Sequence, residues 1–218
     1  MIPSVAYLIG VGGAGMSAIA RYLMKNGCQV YGYDKVKTTL TMALEREGIQ
    51  VNYELSVSAI PEEVQIEAGK LLFITTPAIP ASHPHLIHLK EAGHKAIKRS
   101  EFLGQITENK PTLAIAGTHG KTTITALLAH IVAGTENGCN AFIGGVSANT
   151  KSNFYWSRNA KWTVVEADEF DRSFHSLNPT HAVITSLDPD HLDIYGNEER
   201  FVEAFEIFAD KVKEKLIV

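Results

Sequence analysis

The chain has 218 residues, 45% of them hydrophobic and 20% charged, which is enough for one large or two small domains with real cores. Its net charge of -4 gives no reason to expect nucleic acid or an anionic membrane as a partner. Two cysteines exclude a disulfide framework and favour a reducing compartment. Because the N-terminal apolar run lacks a basic leader and is broken by glycines, we expect a cytoplasmic protein without a membrane span.

The first predicted elements form a strand, a glycine-rich turn, a helix and a second strand. Val5–Ile9 is a buried strand, and residues 10–15 after it contain GxGxxG. Residues 16–25 have helical periodicity, and Gln29–Tyr33 is a strand that ends at Asp34. Asp34 lies 19 positions after the last glycine, near the spacing of the ribose-binding carboxylate in dinucleotide folds. The alternative is a glycine turn with only a packing role.

The α/β alternation continues through the first hundred residues. Residues 40–47 are a predicted helix, 49–51 a short strand, and Leu71–Thr75 an apolar strand. Residues 76–80 then form a loop at a carboxyl edge, where ligands of open α/β sheets bind. A helix begins at Ser100, and the polar segment 107–111 ends in proline. We therefore expect a Rossmann-like parallel-sheet domain over 1–106 and a second domain over 107–218.

Three histidines, at positions 83, 85 and 88, precede and enter a predicted helix. A metal site is one interpretation of this cluster, but no cysteine or carboxylate lies nearby at ligand spacing. We favour the alternative, in which these are surface histidines that lead into the helix.

Residues 116–123, Ala-Gly-Thr-His-Gly-Lys-Thr-Thr, join a predicted strand to a predicted helix. Such a turn directs backbone N–H groups and the positive end of the helix toward a phosphate. Lys121 would reach the β- and γ-phosphates, and the Thr122 hydroxyl would hold Mg²⁺. The Walker pattern requires glycine where this chain has Ile115, so the loop is a shortened variant. The alternative is an ordinary glycine turn before Lys-Thr-Thr.

Two further strands, 162–165 and 181–185, end in acidic residues and a histidine. If they run parallel to 113–116, their loops open on the same sheet edge as the glycine loop. Glu166, the first residue predicted after its strand, is then the best Mg²⁺ ligand, and His191 would complete a second metal position or contact the γ-phosphate. Alternatively, 166–171 is a solvated loop and His191 a turn residue.

In their order and combination, these motifs resemble the Mur ligases of peptidoglycan synthesis. The matching stretches are 10–17, 116–123, Gly144-Gly145, 166–169, 190–193 and Tyr195-Gly196. The resemblance implies a Rossmann-like domain for a UDP-muramyl nucleotide, followed by part of a P-loop NTPase-like α/β central domain for ATP. It also implies a C-terminal amino-acid domain, which we expect to be missing from these 218 residues.

The resemblance assigns roles residue by residue. It makes Lys121, Glu166 and His191 catalytic, and it makes Thr122, Glu166 and His191 ligands of Mg²⁺. The implied ATP-binding residues are Gly117, Thr118, His119, Gly120, Lys121, Thr122 and Thr123. The implied substrate-binding residues are Gly12, Gly13, Ala14, Gly15, Met16, Ser17, Asp34, Thr75 and Thr76, the last three near the ribose or uracil.

The implied activity is ATP-dependent joining of L-alanine to the carboxylate of UDP-N-acetylmuramate through an acyl phosphate. Several relatives carry a carbamoylated lysine after the histidine; residues 201–206 offer none, which favours the alanine-adding branch. Because the chain stops where a strand begins, we expect it to be a fragment that is inactive alone. The alternatives are a tripeptide-recycling ligase, an NAD(P)-dependent oxidoreductase and a nucleotide-sensing module without turnover.

Overall fold

The computed structural model describes residues 3–147, 150–190 and 192–218. The chain forms two compact units, Met1–Phe102 and Leu103–Val218, and each is built on its own parallel or mostly parallel sheet. The predicted α/β class is therefore confirmed. Helix α4 (Arg99–Glu108) contains both the unit boundary and the boundary predicted at 106/107.

Unit 1 is an all-parallel sheet with the order β3-β2-β1-β4-β5. Its elements in chain order are β1 (Val5–Ile9), α1 (Ala14–Lys25), β2 (Gln29–Tyr33), α2 (Thr39–Arg46), β3 (Gln50–Asn52), 3₁₀ turns Val57–Ala59 and Glu62–Val64, β4 (Leu71–Thr75), α3 (Pro84–Glu91) and β5 (Ala96–Lys98). β1 is the central strand: β2, the next strand in the chain, pairs with one side of it, and β4 pairs with the other side. Ligands of open α/β sheets bind at such a switch in strand order.

Local sequence explains where the unit 1 helices begin and which face they bury. Thr38 caps α2 because its side chain accepts the Thr41 N–H while the Thr41 hydroxyl accepts the Thr38 N–H. Helix α1 is anchored to α2 by the buried Arg21, whose guanidinium donates to both carboxylate oxygens of Glu47. The core beneath them is aromatic and aliphatic, with Tyr7, Tyr31 and Phe73 almost fully buried, so burial of apolar area stabilises this sheet.

The histidine segment differs from the prediction. His83 and His85 are buried, with exposed fractions of 5% and 0%, so their interpretation as surface residues is wrong. Both rings contact the Tyr33 ring edge to face, and His85 accepts from the Tyr7 hydroxyl and donates to the Ser56 carbonyl. Neither ring nitrogen of His83 has a hydrogen-bond partner among the residues that the structure describes. Across the part of the chain that the structure describes, no three His, Cys, Asp or Glu side chains form a metal-binding group.

Unit 2 is a six-stranded sheet with the order β11-β10-β6-β9-β7-β8, parallel except for the β7–β8 pair. Its elements are β6 (Thr112–Ala116), α5 (Lys121–Ala133), β7 (Cys139–Ser147), β8 (Ser152–Tyr155), β9 (Trp162–Glu166), a 3₁₀ segment Phe170–Ser176, β10 (His181–Ile184), α6 (Leu192–Tyr195), α7 (Glu198–Ala209) and β11 (Lys215–Ile217). The predicted parallel pairing of β9 and β10 with β6 is confirmed. The β7–β8 hairpin was not predicted.

The unit 2 core has two parts. Helix α5 packs on β7 and β9 through small and aliphatic side chains that include Ile115, Ala129 and Val164. Elsewhere in the unit, the 3₁₀ segment packs on α7 through stacked and edge-to-face rings, among them Phe174 and Phe208. No helix in residues 3–147, 150–190 and 192–218 is long and apolar enough to span a membrane.

Each unit buries one free cysteine, Cys28 in unit 1 and Cys139 in unit 2. Burial raises the pKa of both thiols to about 11. This environment is typical of structural cysteines, because the nucleophilic thiolate is scarce at neutral pH.

Candidate functional site

The glycine loop of unit 2 leaves β6 and enters α5 in a tight turn. Gly117 and Gly120 have φ angles of 119° and 80°, which only glycine adopts readily. At Gly117 a side chain would also lie 2.8 Å from the Thr185 nitrogen, so the loop runs directly against the end of β10. There the Thr118 N–H donates to the Ser186 carbonyl at 3.1 Å. These contacts hold the loop against the segment that follows β10.

Lys121, the first residue of α5, directs its ammonium back into the loop. Its Nζ donates to the carbonyl oxygens of Gly117 at 2.6 Å and Thr118 at 3.2 Å. Its third contact is a salt bridge to Glu169 Oε1 at 2.8 Å. The side chain is only 14% exposed, so the cation has a fixed position at the start of the helix.

Thr122 and Glu166 meet beside Lys121, at the carboxyl ends of the strands. The Thr122 hydroxyl donates to Glu166 Oε1 at 2.9 Å, and the Gly144 N–H donates to Oε2 at 2.7 Å. A Cβ at Gly144 would lie 2.7 Å from the Glu166 Cδ, so this position must be glycine for the carboxylate to keep its place. Glu166 is the last residue of β9, and the prediction that it follows the strand was wrong by one position.

The pair fits a hard divalent cation. Hydroxyl and carboxylate oxygens are the ligands that Mg²⁺ takes in proteins, and here they lie within hydrogen-bond distance of each other. Mg²⁺ usually keeps several waters or phosphate oxygens, so two protein ligands are sufficient. His191, predicted as a second metal ligand, lies outside the described residues.

A second candidate site is a cavity of about 790 Å³ in unit 1. It lies where β1, β2 and β4 end, because Gly10, Asp34 and Thr76, which directly follow these strands, all line it. Its walls combine aromatic and apolar side chains, such as Tyr53 and Ile79, with polar groups. A cavity of this size and lining at a switch in strand order fits a nucleotide-sized ligand.

Asp34 lines this cavity, and its carboxylate accepts two backbone N–H groups. Its Oδ2 accepts the Gly12 N–H at 2.7 Å, and its Oδ1 accepts the Val36 N–H at 3.2 Å. The carboxylate thus accepts the Gly12 N–H, a glycine-loop donor that binds the pyrophosphate in a dinucleotide fold. A diphosphate that used this donor, from a dinucleotide or from a UDP-sugar, would have to displace the carboxylate.

The other predicted substrate residues fall into three groups. Gly13 and Thr76 line the cavity, and the Thr76 hydroxyl also accepts the Ala78 N–H. The Met16 and Ser17 side chains are buried, and the Thr75 hydroxyl is buried without a hydrogen-bond partner among the described residues. Ala14 and Gly15 begin α1, where the Arg99 side chain packs against Gly15.

Sequence reasoning missed two residues of the unit 2 site. Glu169 was treated as one member of an acidic run, yet its carboxylate pairs with Lys121. Gly144 was noted only as part of a motif, yet its N–H holds Glu166. Glycine in a strand interior marks a close backbone or ligand approach, but this signal was not available for Gly144 because β7 itself was not predicted. Nothing in the spacing distinguished Glu169 from the acids around it.

Comparison with known proteins assigns the chain to a family. The Mur ligase catalytic domain model matches residues 5–111, and the Mur ligase middle domain model matches residues 115–218. Curated relatives called UDP-N-acetylmuramate–L-alanine ligase are 46% identical over 210 residues in Parabacteroides distasonis and 49% over 208 in Christiangramia forsetii. These matches cover 96% and 95% of this chain but only 45% and 46% of the relatives' lengths.

A solved structure gives the same result. The crystal structure of the UDP-N-acetylmuramate-alanine ligase from Thermotoga maritima superposes with a TM-score of 0.84 at 28% identity, covering 96% of this chain and 48% of that one. The two Mur ligase domain models together match nearly the whole chain, and the Thermotoga maritima structure has a similar fold. The chain belongs to the Mur ligase family.

Proposed function

We propose that this chain provides the nucleotide-substrate and ATP sites of an ATP-dependent ligase that joins L-alanine to the carboxylate of UDP-N-acetylmuramate. The observation that carries the proposal is the cluster of Lys121, Thr122 and Glu166 at one sheet edge. The relatives' names agree with it. Residues 1–106 would bind the muramyl nucleotide in the unit 1 cavity, and residues 107–218 would bind ATP.

The chemistry follows from the low reactivity of a carboxylate. A carboxylate oxygen of the muramyl group attacks the γ-phosphorus of ATP, ADP leaves, and an acyl phosphate forms. The L-alanine amine then attacks the acyl carbon, loses a proton, and expels inorganic phosphate to leave an amide. Bound Mg²⁺ would offset the charge of the phosphates during this sequence.

The residues of this chain would position the reactants and balance their charge. Lys121 would place its ammonium on the β- and γ-phosphates, and the backbone N–H groups of the glycine loop would fix their orientation. Thr122 and Glu166 would hold the metal. His191 remains a predicted ligand of a second metal.

A tripeptide-recycling ligase is the alternative within the family. It would share both nucleotide sites, so the geometry described here favours neither acceptor. The oxidoreductase alternative rests on GxGxxG and Asp34 alone, and it leaves the cluster of Lys121, Thr122 and Glu166 without a role.

Calorimetric titration with UDP-N-acetylmuramate, Mg-ADP and NAD⁺ tests the proposal. We expect the first two ligands to bind and NAD⁺ not to bind. Binding of NAD⁺ without the muramyl nucleotide would overturn the assignment of unit 1. A Mg-ADP affinity that is unchanged in Lys121→Ala would overturn the assignment of unit 2.

A further inference from the structure

The ammonium of Lys121 has no donor to spare in this structure. An ammonium group has three N–H donors, and Lys121 makes one contact each to Gly117 O, Thr118 O and Glu169 Oε1. The two carbonyl contacts lie within the glycine loop itself. A phosphate oxygen that binds Lys121 must therefore displace one of these three acceptors. Glu169 is the only one of the three that is negatively charged, as the phosphate is.

Glu169 is held firmly where it stands. The residue is 1% exposed, and its main-chain carbonyl accepts the Tyr195 hydroxyl at 2.6 Å and the Arg172 N–H at 3.0 Å. The Lys121 ammonium is held by its three contacts, but it ends a long unbranched side chain that can take other rotamers once the salt bridge breaks. We therefore expect Lys121, rather than the backbone of Glu169, to move when the pair separates.

The carboxylate depends strongly on this one cation. Its Oε2 is buried and has no hydrogen-bond partner among the described residues. Burial raises the pKa of Glu169, while Lys121 acts in the opposite direction. Loss of Lys121 would leave an uncompensated buried charge, which is costly in proteins.

We propose that Glu169 is a positioning residue for Lys121. Its carboxylate binds the ammonium at the position that a nucleotide phosphate oxygen would otherwise take. Nucleotide binding must then separate the Lys121–Glu169 pair, and part of the binding free energy is spent on this step. The carboxylate keeps the loop cation in place without nucleotide and weakens nucleotide affinity. This inference rests on the proposed ATP site.

The test is the Mg-ADP affinity of Glu169→Gln, measured by calorimetry on the whole chain. Glutamine keeps the size of the side chain but removes its charge, so we expect binding to tighten on the order of tenfold, as for loss of a competing charge-assisted hydrogen bond. Merely structural damage would weaken binding instead. Asp188→Asn is the matched control, because this carboxylate lies near the same loop but is 71% exposed and contacts His119, not Lys121.

A double-mutant cycle tests whether the effect of Glu169→Gln on Mg-ADP affinity depends on Lys121. In a Lys121→Ala background, Glu169→Gln should tighten Mg-ADP binding by a much smaller factor than it does with Lys121 present, because the competition for the ammonium no longer exists. Equal or weaker binding by Glu169→Gln with an intact Lys121 would overturn the inference but not the proposed ATP site. Absence of Mg-ADP binding by both the unchanged chain and Glu169→Gln would overturn both.

A second variant covers the case in which Glu169→Gln does not fold. Glu169→Asp keeps the charge but withdraws the carboxylate from Lys121 by one methylene. We expect tighter Mg-ADP binding here too, by a smaller factor. Unchanged or weaker binding by this variant counts against the inference.

Discussion

The Thr122 hydroxyl donates to the Glu166 carboxylate at 2.9 Å, although the two residues belong to different elements of unit 2. Thr122 stands in the first turn of α5, and Glu166 ends β9, the strand beside β6. The parallel pairing of β6 with β9 brings a helix start and a strand end to one edge. The sheet order therefore brings together the two side chains of the proposed metal site.

Removal of the Thr122 hydroxyl should weaken the response to Mg²⁺. In Thr122→Val the shape is kept but one oxygen ligand is lost, so we expect Mg-ADP affinity to fall about tenfold while metal-free ADP affinity changes little. Calorimetry with and without Mg²⁺ measures both. Thr125→Val is the control, because the Thr125 hydroxyl is buried in the same helix without a partner. An equal loss in both variants would contradict the metal role.

Gly144→Ala should displace the Glu166 carboxylate. The new Cβ would lie 2.7 Å from the Glu166 Cδ, which is closer than real contacts allow. We expect Mg-ADP affinity to fall tenfold or more, with the fold retained in circular dichroism. Gly134→Ala is the control: its nearest contact would be 3.5 Å, and the residue ends α5 with a φ of -78°. Full affinity in Gly144→Ala would show that Glu166 is not the ligand.

The Arg21–Glu47 pair should stabilise unit 1. Glu47→Ala removes the carboxylate from a guanidinium whose side chain is 4% exposed, so we expect a loss of about 2–3 kcal/mol in the free energy of unfolding. Urea unfolding followed by circular dichroism measures this. Glu67→Ala, which breaks an exposed pair with Lys70, should cost less than about 0.5 kcal/mol. Similar losses in the two variants would contradict the role of burial.

Acid should destabilise unit 1 through its buried histidines. Burial lowers the pKa of His83 and His85 below 6.5 in the folded chain, and the neighbouring His85 and His88 add to the respective shifts. Because the unfolded chain binds more protons, stability is full above about pH 6.5 and is lost as the pH falls through the folded pKa values.

His83→Phe tests this pH dependence. It removes two unpartnered nitrogens and keeps a ring against Tyr33. We expect the variant to gain stability over the unchanged chain by roughly 1 kcal/mol more at pH 5 than at pH 7.5. Thermal unfolding at the two pH values gives the comparison. A constant difference would mean that His83 does not titrate on unfolding.

Several features of both units were predictable from local patterns. β1, β2 and β4 were predicted with correct bounds because each is a short apolar run closed by glycine, acid or threonine. The glycine loop and Glu166 were singled out because phosphate and metal chemistry require those residue types at strand ends; the loop does follow β6, and Glu166 is the last residue of β9.

Other features depend on tertiary contacts that local patterns do not encode. The β7–β8 hairpin was missed because β7 contains Gly144 and Gly145 in its interior, which lowers strand propensity. His83 and His85 looked solvated because histidine is polar, but the fold buries them beside Tyr33. Glu169 lies 48 positions after Lys121, and only the folded chain pairs them.

Cys28 and Cys139 provide a way to follow each unit separately. Both thiols are buried with a pKa of about 11, so an alkylating reagent at neutral pH should modify them only when the surrounding unit opens. Because one cysteine lies in each unit, peptide mapping after timed alkylation would read the opening rates of the two units in a single experiment. The chain thus contains two natural reporters of its own unfolding.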